Sequence, residues 1–323
     1  MPSSDVYPLI DTHTHIVPAP VAKKQKELNL SVPPQMANWT PEQHIEKFDL
    51  AGIRIGVLSS PAAPAFVPPP EVSPLVREIN EYFAYLIQTY KERFGAFATL
   101  PMANGEDAVK EAIYSLDTLG LDGVAFQSSH DGKYLSHPDY RELLSELNRR
   151  GAVVLIHPIL IKDRPAGLSP ALLEGTFDTT RNVTSMAVHK VFDRFPEIKF
   201  IIPHTGGMVP YIKWRIAVTA LAEDVNDFLR IESTPEEVKA EMAKLDGLYY
   251  DTAVNVGALH KMVPTSQMLF GTDIPFPSNN IVNHQVQAVF SDIGELGEES
   301  VKAVAYGNAL RLFPRLKEVL FEA

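Results

Sequence analysis

The sequence predicts an α/β protein, a single (β/α)8 TIM-like barrel over residues 1–323 with extended loops after strands 1 and 5. Three observations carry that expectation. Apolar runs rich in β-branched residues recur at 7–16, 53–60, 94–102, 123–129, 152–159, 199–207, 247–253 and 267–276. Helical patterns fill the intervals, so strand and helix alternate from one end to the other. The length of 323 residues suits one barrel of about 250 residues plus insertions. A doubly wound open sheet shares the alternation and is the competing architecture.

Taken in order, the first run, Pro8 to Ile16, ends in His13 and His15, which share a face because side chains alternate along a strand. The segment 17–40, rich in Pro and Lys, reads as a long irregular loop. Helix starts are signalled at Thr40-Pro41-Glu42-Gln43, Ser136-His137-Pro138-Asp139 and Thr234-Pro235-Glu236-Glu237, each a capping residue with an acid or amide three positions on. The Pro-rich 61–70 follows the second strand and reads as part of the barrel mouth. The clearest helix is 74–93, where Leu75, Ile79, Tyr82, Phe83, Leu86 and Tyr90 form one stripe. Ala152–Ile156 and Phe200–Ile202 are apolar throughout, as parallel strands covered on both faces are. The segment 160–180, containing Arg164-Pro165, reads as a second long loop. Both long loops follow strands, which puts them on the C-terminal face where barrel active sites sit.

Apolar residues make up 45% of the chain and charged residues 21%, enough for a packed core. The net charge of -11, from 40 acidic and 29 basic residues, argues against nucleic acid or an anionic membrane as a partner. No run of about 18 apolar residues occurs, and Met1-Pro2-Ser3-Ser4-Asp5 lacks a signal-peptide pattern, so a soluble, cytoplasmic protein is expected. With no cysteine, disulfides, thiolate catalysis and sulfur-bound metal are excluded, and any metal must use nitrogen and oxygen donors.

Of ten histidines, His13, His15, His157 and His204 stand at the ends of strand runs. The other six, His44, His130, His137, His189, His260 and His284, fall in helical or loop patterns and read as solvated or packing residues. The last run, Met268 to Phe276, contains Asp273, which alone would read as a helix cap. Closing a barrel sets strand eight beside strand one and brings Asp273 next to His13 and His15. Three neutral imidazoles and one carboxylate, with coordination positions to spare, suit one divalent ion, Zn2+ or Mn2+. Such a site is catalytic in type, because a structural site closes its fourth position.

Four motifs in chain order carry a resemblance: Asp11-Thr12-His13-Thr14-His15, Leu155-Ile156-His157-Pro158, Ile202-Pro203-His204-Thr205-Gly206-Gly207 and Phe270-Gly271-Thr272-Asp273-Ile274-Pro275-Phe276. Together they resemble the amidohydrolase superfamily over nearly the whole chain. More narrowly, the chain resembles the non-oxidative decarboxylase branch that includes the aminocarboxymuconate-semialdehyde, γ-resorcylate and 6-methylsalicylate decarboxylases. The resemblance implies that His13, His15, His157 and Asp273 bind the metal and that His204 handles a proton beside it. It implies that Arg215 reaches a substrate carboxylate, often across a homodimer interface, and that Phe276 packs the substrate ring. Trp39, the tryptophan of the first long loop, joins them as a substrate-binding residue.

Two departures narrow the expectation. The binuclear hydrolases of the superfamily carry a lysine at the end of strand four, where this chain reads Val124-Ala125-Phe126-Gln127-Ser128, which points to one metal. The aminocarboxymuconate enzymes place an arginine just before the loop tryptophan, where this chain reads Gln35-Met36-Ala37-Asn38-Trp39, which favours an aromatic monocarboxylate. The expected reaction is decarboxylation of an ortho-hydroxybenzoate such as 6-methylsalicylate or a resorcylate, the ring carbon being protonated by Asp273 or His204. Hydrolysis of a lactone or amide on the same ligands is the alternative, and a barrel that binds without turnover a third. Asp11 is expected to support the strand end.

Overall fold

The computed structural model describes residues 7–30, 39–159, 167–224, 232–254 and 259–321. Its main sheet follows chain order: β1 (Leu9–His15), β2 (Ile53–Ser59), β3 (Phe94–Thr99), β4 (Gly123–Gln127), β5 (Val153–His157), β6 (Lys199–Ile202), β7 (Tyr249–Asp251) and β8 (Met268–Leu269). Each strand pairs in parallel with the next. The seam between β8 and β1 closes through separate backbone bonds. Thr12 N–H donates to Phe270 O at 2.9 Å, Asp273 N–H to His13 O at 2.8 Å and His15 N–H to Ile274 O at 2.7 Å. This closure makes the sheet a barrel and excludes the open sheet.

Several boundaries differ from the sequence pattern, each for a local reason. The sixth strand stops at Ile202 because Pro203 has no N–H to donate and His204, Thr205, Gly206 and Gly207 all take positive φ. The eighth ladder is only Met268–Leu269, since the rest of that run crosses to β1 with Asp273 at φ 66°. The expected loop 17–40 contains a helix, Ala19–Glu27, while 31–38, with Gln35 to Asn38, lies outside the described residues. Arg164 and Pro165 also lie outside them, and the helix Glu174–Val188 already begins inside the expected 160–180 loop. The long helix runs Pro69–Thr89 rather than 74–93, because prolines in a first turn give up only N–H groups that have no helical acceptor.

Thr40 and Thr234 cap their helices as expected, Thr234 in a full capping box with Glu237. Ser136 does not cap: its Oγ pairs with Ser185 Oγ at 2.7 Å, and His137 Nδ1 accepts the Asp139 N–H instead. A short turn, Pro138–Tyr140, then leads into the helix Arg141–Arg150.

Burial explains where a site can form. Ile10, Val57, Phe97, Ala125, Leu155, Ile201 and Leu269 fill the lower barrel, sealed at the strand starts by Leu312, Phe313 and Leu316. Arg315 pins that seal to Asp122 at 2.7 and 2.9 Å. One inward step further along four of the strands, the packed residues give way to polar ones: Val57 to Ser59, Ala125 to Gln127, Leu155 to His157 and Tyr249 to Asp251. On β1 the inward step from Ile10 to His13 is odd, and the register shift between Asp11 and Thr14 absorbs it. Among the described residues no helix is long and apolar enough to cross a membrane.

Candidate metal centre

His13 and His15 end β1, His157 ends β5, His204 follows β6 and Asp273 follows β8, so five side chains converge on the upper face. One donor atom each from His13, His157, His204 and Asp273 lie within 4.8 Å of one another. His15 joins them: its Nε2 is 2.9 Å from His13 Nε2 and 3.2 Å from Asp273 Oδ1. His13 Nε2 is 3.4 Å from the same oxygen, and His204 Nε2 is 3.5 Å from Asp273 Oδ2.

The opposite ring nitrogens are held. His13 Nδ1 lies 2.7 Å from Asp251 Oδ2, His15 Nδ1 2.8 Å from Ser59 Oγ and His157 Nδ1 3.1 Å from Pro158 O. Ser59 Oγ spends its own proton on Thr14 O, so it accepts from His15. With each Nδ1 donating, each Nε2 presents a lone pair to the same small volume. Two such lone pairs 2.9 Å apart repel unless positive charge sits between them. His157 Nε2 and Asp273 Oδ1 are buried there without a hydrogen-bond partner. A divalent cation would satisfy both, so the donor set fits a nitrogen/oxygen metal site.

The electrostatics agree. Burial alone lowers the His13 pKa, but the carboxylates of Asp251 and Asp273 overcome it and push it up to about 10. Burial would raise Asp273, yet the imidazoles of His13, His15 and His204 packed around it hold it well below the usual carboxylate range. His157 is kept neutral, first by burial and then by its neighbours His15 and His13. The pocket thus selects for positive charge.

The amidohydrolase family model matches residues 10–315. This chain belongs to the amidohydrolase family. It is 32% identical to the decarboxylase macB of Penicillium terrestre, covering 95% of this chain and 95% of that one. It is 31% identical to the 6-methylsalicylic acid decarboxylase of Penicillium expansum, covering 77% and 78%. Its fold superposes with a TM-score of 0.76 on a dihydroxybenzoic acid decarboxylase of Polaromonas sp. JS666 solved with manganese and 2-nitroresorcinol, at 19% identity over 98% of this chain and 99% of that one.

Sequence reasoning missed two residues of this amidohydrolase's site. Asp251 ends the run Leu248-Tyr249-Tyr250, the same signal of a carboxylate closing an apolar strand that pointed to Asp273. Its Oδ2 faces His13, while its Oδ1 accepts the N–H groups of His204 and Ala253, both at 2.9 Å. Gly271 is the second: a Cβ there would stand 2.9 Å from His13 Cβ and 3.1 Å from Asp251 Cβ. Gly271→Ala should therefore part that pair and weaken metal binding about 10- to 100-fold, read by equilibrium dialysis against Mn2+. Unchanged affinity would sink that role for the glycine.

Asp11 faces the strand seam rather than the cluster. It accepts from His13 N–H at 3.0 Å, Thr272 N–H at 3.1 Å and Thr272 Oγ1 at 2.5 Å, and burial pushes its pKa up to about 7. Phe276 is half exposed on the rim, its ring centroid 5.8 Å from that of His15. Trp39 lies farther out and spends its indole N–H on His44 Nδ1 at 3.0 Å. Arg215 stands on the exposed side of the helix Val209–Ala220, near the exposed Tyr211 and Trp214.

His44 is the packing histidine of the set. It is buried between Trp39 and Thr14, with Nε2 2.8 Å from Thr14 Oγ1, and burial lowers its pKa to about 3. The unfolded chain, titrating near 6.5, therefore takes up a proton that the folded chain refuses as pH falls from about 6.5 toward 3. The stability that neutral His44 contributes is full above that window and is lost within it. Thermal melts between about pH 7.5 and 5 should show a steeper loss of Tm for the wild type than for His44→Gln. Parallel curves would remove His44 as the cause.

Proposed function

We propose that this chain catalyses metal-dependent, non-oxidative decarboxylation of an ortho-hydroxy aromatic acid, 6-methylsalicylate or a resorcylate-like acid. The observation that carries this is the set of converging donors, with His157 Nε2 and Asp273 Oδ1 buried and unpartnered at its centre. The decarboxylase relatives support the same reaction class. His13, His15, His157 and Asp273 would hold one Zn2+ or Mn2+, which when bound supplies Lewis acidity for the substrate's carboxylate and phenolate oxygens.

In this reading, Asp273 rests ionised, takes a proton relayed through His204 and delivers it to the ring carbon that bears the carboxylate. The bond to that carboxylate then breaks, CO2 leaves, and its electron pair restores the ring. His204, beside Asp273 Oδ2, resupplies the proton from solvent and orients the phenolate oxygen. Phe276 packs the ring from the rim. Arg215 meets the substrate carboxylate from a second copy, and a homodimer would cover Tyr211 and Trp214, which are 75% and 62% exposed.

The test is a panel of hydroxybenzoates incubated with the purified protein while CO2 is followed. Gas should evolve from ortho-hydroxy acids, stop on chelation and return with added Mn2+ or Zn2+. Turnover of a lactone or amide to an acid without CO2 would replace this reading with hydrolysis.

A further inference from the structure

Outside the barrel, the hairpin Ser129–His130/Lys133–Tyr134 and the helices Arg141–Arg150 and Glu174–Val188 enclose a cleft of about 460 Å3. We propose that this cleft is a second binding site, for a small organic anion with a phosphate or carboxylate head and an apolar body. Lys133, Arg141 and Arg194 line it, together with two imidazoles, of which His137 lies 3.4 Å from the Asp139 carboxylate. That concentration of positive charge runs against a chain of net charge -11.

Lys133 is already engaged by Asp139 at 2.7 Å. Arg141 and Arg194 have no carboxylate partner among the described residues; Arg194 only reaches Lys190 O at 3.4 Å and lies over the Phe195 ring. Two guanidinium groups facing one cleft present fixed forks for anionic oxygens. Phe195 and Leu144, both buried in the wall, and Pro138 offer the apolar floor. The volume lies in the range of small-molecule pockets. The wall is fixed before any ligand arrives. Tyr134 OH donates to Asp178 Oδ1 at 3.0 Å, and the other oxygen of Asp178 accepts from Ile159 N–H at 2.9 Å and from Ser128 Oγ. A preformed wall lowers the ordering cost of binding.

Phenyl phosphate, titrated calorimetrically into the metal-loaded enzyme, tests this. Saturable binding is expected, weakened at least about tenfold in Arg141→Gln/Arg194→Gln, with kcat/KM for the aromatic acid within about twofold of wild type. His189→Trp, which crowds the cleft without altering either guanidinium, should weaken binding as well. Binding that is absent, or unchanged in both variants, overturns the proposal. Binding lost only on metal removal does the same, because it would place the phosphate at the metal centre. A failed decarboxylase assay leaves this titration untouched, so the two readings fail separately.

Discussion

Asp273→Asn should lower kcat by about 10²- to 10⁴-fold while the barrel still folds. The substitution keeps the shape of the side chain and its αL backbone, φ 66°, which Asn tolerates as Asp does. What it removes is the charge that His13, His15 and His204 surround and the capacity to carry a proton. Two losses are therefore combined, and they separate experimentally. Weaker metal binding is reversed by raising Mn2+, whereas loss of the proton donor persists at metal saturation as a fall in kcat. Near-normal turnover with metal bound would take Asp273 out of the chemistry.

His204→Ala should cut turnover over a similar range, about 10²- to 10⁴-fold. His204 has φ 53°, a conformation that costs Ala more than Asn, so backbone strain could mimic a chemical effect. His204→Asn is the control, because it keeps the conformation and removes the imidazole. Equal losses in both variants assign the effect to the ring. Recovery in the Asn variant would assign it to the turn. The main-chain N–H of His204 bonds Asp251 in either case, so the register of the site should survive.

The parts legible in the sequence were those governed by short periods. His13 and His15 share a face because strands alternate, and the pairing of Asp273 with them follows from barrel closure. The (β/α)8 order was legible because all eight strands fall inside apolar runs separated by helical patterns. Less legible were features set by contacts across the chain. Asp251 ends a strand of three residues, and its place against His13 depends on the irregular register of β1. Gly271 looks like an ordinary strand glycine until His13 and Asp251 are seen on either side of it. His44 reads as one more polar residue of an amphipathic helix, since nothing local announces Thr14 or Trp39 as its partners. The helix Ala19–Glu27 was hidden by its prolines and lysines, which resemble those of a loop.

The plug formed by Leu312, Phe313 and Leu316 has a consequence for traffic through the enzyme. With the lower barrel solid, acid and product pass the same rim, where Phe276 stands beside His15. Entry and exit therefore both fall on the side of the barrel that carries the metal-binding side chains, and residues lining that one doorway meet every molecule the site takes in or lets go.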